Sequence, residues 1–294
     1  METILVLAGG GSRGLLSVQA LKYVERYLGR PISEGFQGVY GTSTGAIQAA
    51  ALTRPDPVFA ADLERLYEAL CGKVFIPRRL SLGGFAGPQY DGAALARELR
   101  GVLGAYQVQD TVVPLGVVTY DLVTRQPVML TRETAPDWTL AGATLASSSA
   151  PTFFDPYRER YVDGGLVANL PSAWAAITHA RARGLALSEV RVLAVGTGTT
   201  EAPIVGASGR GKIGWVEDVI DIGISGSQDL EALMCEALGL GDYLQLQMAI
   251  PAEAAAMDDT SPEQVLRLKQ LGNQMVAQQL PSLHRFLDAM SKLR

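Results

Sequence analysis

Gly41-Thr42-Ser43-Thr44-Gly45 follows the short apolar run Gly38–Tyr40 and precedes the helix-forming stretch Ala46–Leu52, so this segment reads as strand, tight turn and helix. That is the geometry of a nucleophile elbow, in which a strained bend pushes the serine hydroxyl out of the sheet toward a substrate. Gly41 and Gly45 permit the close approach of strand and helix backbones that such a bend requires. An ordinary glycine-rich turn has the same five-residue pattern, so the surrounding sequence must decide between the two.

Ile4-Leu5-Val6-Leu7-Ala8 is a continuous apolar run of the kind buried in parallel sheets, and Gly9-Gly10-Gly11-Ser12-Arg13-Gly14 leads from it into a helix-like stretch, Leu15–Arg26. A glycine loop at a helix N-terminus exposes N–H groups beside the positive end of a helix dipole, and so holds an anion. Gly9-x-Gly11-x-x-Gly14 formally satisfies the dinucleotide fingerprint. However, the second strand ends in Gly41-Thr42-Ser43 without the acidic residue that would hold a ribose, and no Lys-Ser or Lys-Thr pair follows the glycines as a P-loop requires. An oxyanion loop beside a nucleophile elbow is the coherent reading, because neighbouring parallel strands present both at one edge of the sheet.

The serine needs a base, and the chain has only two histidines. His179 falls in the alanine-rich stretch Ala173–Arg183 and His284 in the C-terminal helical stretch; both read as solvated helix-face residues. Tyr161-Val162-Asp163-Gly164-Gly165 instead offers a carboxylate at a strand end, before two glycines that admit another backbone. Asp163 could take the serine proton directly in a dry site that raises its basicity.

These three blocks, in this order, resemble those of the patatin-like phospholipases, lipid acyl hydrolases that use a serine–aspartate dyad. The resemblance continues through Tyr90-Asp91-Gly92, Thr119-Tyr120-Asp121 with Arg125-Gln126-Pro127, Ala146-Ser147-Ser148-Ser149-Ala150-Pro151-Thr152-Phe153-Phe154 and Val195-Gly196-Thr197-Gly198, and more loosely at Tyr243-Leu244-Gln245. It implies Ser43 as nucleophile, Asp163 as general base, and the Gly10 and Gly11 N–H groups as oxyanion hole. Gly9, Gly14, Gly41, Gly45, Gly164 and Gly165 are the motif glycines. Arg13 matches the family's basic position, where it would steady the loop or meet a substrate phosphate; a solvent-facing arginine at a helix start is the alternative. Ala8 departs from the aspartate common in the family. The implied activity is phospholipase A-type cleavage of carboxylic esters in membrane phospholipids, without cofactor or metal. Two alternatives stand beside it: an effector phospholipase activated by a small signal, as in some bacterial relatives that respond to cyclic nucleotides, and a silent scaffold.

The wider chain fits this reading. With 294 residues, 48% of them hydrophobic, it can bury one large core. Strand-like runs at Ile4–Ala8, Gly38–Tyr40, Leu115–Tyr120, Pro127–Thr131, Tyr161–Val162 and Val190–Val195 alternate with helical stretches. This predicts a three-layer α/β/α fold with a mostly parallel sheet, a single domain over 1–294 with its core in about 1–200 and a helical extension over about 215–294. Within that extension, a helix from about Pro262 to Leu280 is expected to cover the core, with joining a partner subunit or gating the site as the alternatives. A net charge of −5 provides no basic footprint for nucleic acid.

No stretch approaches 18 apolar residues and no cationic leader precedes the first strand, so neither a spanning helix nor a signal peptide is expected. Two separated cysteines that are not expected to pair make a reducing cytoplasm the expected location, with peripheral membrane contact open. Such contact would fall at Lys73 to Phe85, where Lys73, Arg78 and Arg79 flank loose apolar groups; a loop folded onto the core is the alternative. Cys71 and Cys235 are expected to be buried and unpaired, without metal-ligand spacing.

Overall fold

The computed structural model describes residues 1–78, 87–200, 203–205, 208 and 211–291. Its strands are β1 (Glu2–Leu7), β2 (Gly38–Thr42), β3 (Leu115–Asp121), β4 (Gln126–Leu130), β5 (Tyr161–Asp163), β6 (Val190–Val195) and β7 (Asp242–Leu246). The helices are α1 (Gly14–Leu28), α2 (Ile32–Gly35), α3 (Thr44–Thr53), α4 (Ala60–Val74), α5 (Gly92–Leu103), α6 (Leu140–Ser148), α7 (Gly165–Ala168), α8 (Ser172–Arg183), α9 (Lys212–Ala237) and α10 (Pro262–Ser291).

The strands form one sheet in the order β4-β3-β2-β1-β6-β7, and β5 pairs with β3. Pairings among β1, β2, β3, β6 and β7 are parallel, whereas β4 and β5 run antiparallel to β3. Side chains alternate across the sheet: Leu5 and Leu7 join a large core with α1, α3, α5 and α10, while Ile4, Val6 and Ala8 face Ala175, Ala176 and Ala180 of α8. Helices on both faces and a mostly parallel sheet make the expected α/β/α layering.

One register detail positions the site. Thr42, the last residue of β2, lies opposite Val118 of β3. The next residue of β3, Thr119, lies opposite Asp163 of β5. β5 therefore takes over the edge of β3 at the point where β2 leaves it, and the end of β5 abuts the turn that carries Ser43. Gly164 is needed there, because a Cβ on it would stand 2.5 Å from the Val118 carbonyl oxygen.

The region after 200 differs from the reading of its sequence. β7 extends the sheet beside β6, so the segment beyond residue 215 is not helical throughout. The last helix runs on through Pro281 to Ser291. Proline removes one backbone hydrogen bond, but residues on both sides of it, from Leu268 and Met275 to Leu283, Phe286 and Leu287, are buried in the core. Packing along the whole length outweighs the local defect.

Both histidines also differ from expectation. His179 is fully buried on α8, with Nδ1 3.0 Å from the Tyr40 hydroxyl and Nε2 2.7 Å from a carboxylate oxygen of Glu2. His284 Nε2 lies 2.5 Å from the Tyr23 hydroxyl, and its ring stacks on Tyr27 at 4.8 Å between centroids. Cys235 is buried and free. Among the described residues no helix is long and apolar enough to cross a membrane.

Candidate active site

Ser43 sits between β2 and α3 with φ 54° and ψ −123°, a left-handed conformation that is costly for a residue with a Cβ. Several contacts hold the bend. The Ser43 N–H donates to Ser147 Oγ at 2.8 Å, and that hydroxyl donates onward to the Val118 carbonyl at 2.5 Å. Gly45 lies so close to the Leu7 carbonyl that a Cβ would overlap it. The elbow is thereby clamped to β1 on one side and, through the end of α6, to β3 on the other.

Asp163 is 7% exposed and lines the same cavity as Ser43, whose hydroxyl favours the charged form of its carboxylate. The Gly165 N–H donates to the same carboxylate at 2.7 Å, and the Asp163 N–H donates to the Ser149 carbonyl at 3.0 Å. Burial disfavours the charged form and pushes the carboxyl up to about 6, against the lowering effect of Ser43 and of the Gly165 N–H.

The glycine loop faces this pair. Gly9 N–H donates to the Asn169 carbonyl, Ser12 N–H to the Met257 carbonyl, and Thr197 Oγ1 to the Gly9 carbonyl. Gly11 has φ 56°, and a Cβ there would run into the Met257 carbonyl, so only glycine fits. Among the described residues the N–H groups of Gly10 and Gly11 find no acceptor, although both residues line the cavity that contains Ser43 and Asp163. Two free donors beside a serine hydroxyl suit a developing oxyanion. The other motif glycines, Gly14 and Gly41, are likewise packed against polar or backbone atoms.

Most of the remaining cavity wall is apolar. Leu66, Leu70, Val74 and Phe75 come from α4 and its end, Leu95 and Leu99 from α5, Phe153 and Phe154 from the segment after α6, and Ile220 and Ile224 from α9. Such a lining accepts a hydrocarbon chain and keeps water from the carboxylate.

Arg13 does not face solvent as a helix-start arginine would. It is 5% exposed, lies outside the cavity lining, and its Nε has no hydrogen-bond partner among the described residues. Burial lowers its pKa to about 10, an effect partly countered by Asp221 of α9. Of the lip at Lys73 to Phe85, Val74 and Phe75 turn into the cavity, Ile76 is 49% exposed, and residues 79–86 lie outside the described part.

Neither histidine lines the cavity. His179 packs against Gly38 at the start of β2, about 16 Å of extended strand away from Ser43. Its burial without full compensation lowers its pKa despite Glu2. His179→Ala is expected to keep ester hydrolysis within about threefold while destabilising the fold by about 2–4 kcal/mol, because Tyr40 and Glu2 lose a buried partner. Parallel esterase assays and thermal melts check this, and a folded but inactive variant would restore a histidine to the chemistry.

Sequence reasoning gave no role to Ser147, Asn169 or the Met257 carbonyl. The serine run that ends α6 and continues past it, Ser147 to Ser149, was the visible signal for the first. The others depend on contacts between segments far apart in the chain.

With this geometry in view, comparison with known proteins identifies the class. The family model described as Patatin-like phospholipase matches residues 5–175, more than half of the chain. The chain belongs to that family, which makes it a lipid hydrolase. Among its relatives, the cGAMP-activated phospholipase of Pseudomonas aeruginosa is 30% identical, covering 92% of this chain and 86% of the relative. The cGAMP-activated phospholipase of Vibrio cholerae is 28% identical over 94% and 90% of the two chains, and Patatin-like protein 1 of Arabidopsis thaliana 26% over 97% and 83%. In fold, the chain is similar to VipD from Legionella pneumophila, with a TM-score of 0.51, 13% identity, and coverage of 98% of this chain and 67% of that one.

Proposed function

We propose that this protein is a phospholipase A-type acyl hydrolase that cleaves carboxylic esters of membrane phospholipids through a Ser43 acyl-enzyme. The observation that carries the reading is the meeting of Ser43 with a buried carboxylate, Asp163, at the polar end of one apolar cavity. In this mechanism Asp163 accepts the Ser43 proton as the oxygen attacks the ester carbonyl. The tetrahedral oxyanion is held by the Gly10 and Gly11 N–H groups. Asp163 returns the proton to the departing lysolipid alcohol as the acyl-enzyme forms. Water then enters, gives a proton to the same carboxylate and releases the fatty acid, and Ser43 regains its proton. Arg13 is assigned to support of the glycine loop, since its side chain is buried outside the cavity.

A second reading is favoured by the two cGAMP-activated phospholipases among the relatives: hydrolysis here waits for a cyclic nucleotide or a similar small signal. A silent scaffold has less support, because both members of the dyad are present. One experiment separates the three. The purified full chain is incubated with mixed phospholipid vesicles, with and without cyclic dinucleotides, and the lipids are analysed by mass spectrometry. Free fatty acid and lysolipid in equal amounts support the proposal, and their appearance only with the nucleotide supports the second reading. No product under any condition leaves the scaffold.

A further inference from the structure

Beneath the elbow lies a closed polar cluster that the proposed chemistry does not use. Gln48 of α3 is fully buried, and its Nε2 lies 3.1 Å from the Gly14 carbonyl, 3.0 Å from Ser17 Oγ and 2.9 Å from the Tyr67 hydroxyl. Ser17 Oγ donates to the Gly14 carbonyl at 2.8 Å and lies 3.1 Å from Gln48 Oε1. The Tyr67 hydroxyl also bonds the Thr44 hydroxyl and donates to the Thr44 carbonyl at 3.3 Å.

The placement of this cluster gives it meaning. Gly14 opens α1 directly after the turn that follows the oxyanion-type glycines, and Thr44 opens α3 directly after Ser43. Gly14 has no room for a Cβ, which would stand 2.6 to 2.9 Å from the polar ends of Tyr67, Thr44 and Gln48. Tyr67 itself lines the cavity. Buried polar groups of this kind cost stability unless fully satisfied, and when satisfied they fix one arrangement more sharply than apolar packing does.

Resting on the reading of Ser43 as nucleophile, we infer that Gln48 is a positioning residue: by joining the first turns of α1 and α3 through Ser17, Gly14 and Tyr67, it sets the distance between the N–H donors of the glycine loop and the Ser43 oxygen. A change of about 1 Å in that distance costs on the order of a hundredfold in rate. The lost stabilisation belongs to the transition state, so it falls on kcat.

The test is Gln48→Met, which keeps the length of the side chain and removes its polar end, assayed on a soluble short-chain ester with active sites counted by fluorophosphonate titration. The expected result is a 10- to 100-fold lower kcat per titrated site, KM within threefold, and an unchanged apparent pKa near 6 for kcat/KM. Leu21→Ala, in the buried face of α1 two turns beyond Gly14, is the control for general loosening and is expected to lower Tm without changing kcat per site. If Gln48→Met is insoluble, Tyr67→Phe replaces it, with an expected three- to tenfold loss in kcat. An unchanged kcat per site, or an equal loss in Leu21→Ala, overturns the inference. Ser43→Ala run alongside keeps the two proposals apart: hydrolysis surviving in that variant refutes the nucleophile, whereas its loss beside a normal Gln48→Met refutes only the positioning role.

Discussion

Ser43→Ala is expected to lower ester hydrolysis by roughly 10⁴- to 10⁶-fold, to the level that the N–H donors and the apolar cavity sustain without a nucleophile. The loss should arise without damage to the fold. Alanine removes only a hydroxyl in the cavity beside Asp163, and the clamp on the elbow runs through the Ser43 backbone N–H and Gly45. The positive φ at position 43 is strained for serine and alanine alike, so the melting temperature should stay within a few degrees. Phospholipid turnover and trapping of an acyl-enzyme by mass spectrometry check the prediction from two directions. A variant that retains a tenth of the activity would mean that another group attacks the ester.

Asp163→Asn is expected to be equally inactive and yet more stable. The carboxyl is held near 6 by burial, above its ordinary value of 3.8, so between these two values the folded protein binds the proton that the unfolded chain has released. Stability therefore falls as pH rises from about 4 to about 6 and is flat above, where the folded state must carry a poorly solvated charge. A neutral amide avoids that cost. Its oxygen still accepts from the Gly165 N–H and its nitrogen can donate to the Ser43 oxygen. The shift of about 2 units corresponds to a gain on the order of 2–3 kcal/mol at neutral pH. Thermal melts of both proteins should diverge by several degrees at pH 7.5 and converge at pH 4. In the wild-type enzyme the same titration should appear as kcat/KM rising through pH 6 to a plateau, because only the ionised carboxylate accepts the serine proton. Equal melting temperatures at pH 7.5 would mean that Asp163 is better solvated than its burial implies.

The parts of the site that rest on local backbone chemistry were legible in the sequence. A strand, a glycine run and a helix start are contiguous at Ile4–Leu15, and the same holds for Gly38–Leu52 and Tyr161–Gly165, so each block carries its own geometry. The order of the strands explains why these blocks meet, but the sequence does not contain that order. β5 lies against the far half of β3 only because β2 ends at Thr42, a fact of register. His179 misleads for a related reason. Its helix is short and alanine-rich, with little contrast between faces, and the partners that bury it, Glu2 and Tyr40, lie far away in the chain. β7 is a short strand of mixed polarity at the sheet edge, half-buried for most of its length, so neither alternation nor a continuous apolar run announces it. The Met257 carbonyl gives no signal of any kind, because a backbone oxygen has no letter in the sequence; its position follows from Ser12 donating to it and from Tyr90 holding the neighbouring Asp258 at 2.6 Å.

β1, the earliest strand in the chain, lies in the middle of the sheet, with β2 along one side and β6 along the other. During synthesis its second flank stays bare until residues 190–195 leave the ribosome, since Leu5 has Leu193 as its neighbour there. A truncation near residue 175 would leave that flank open for good. Ile4, Leu5, Val6 and Leu7 would then offer an oily row of unmet backbone groups to any other nascent chain, which is a recipe for inclusion bodies. Shortened versions intended for expression should therefore extend at least through Leu246, so that β6 is itself sheltered by β7.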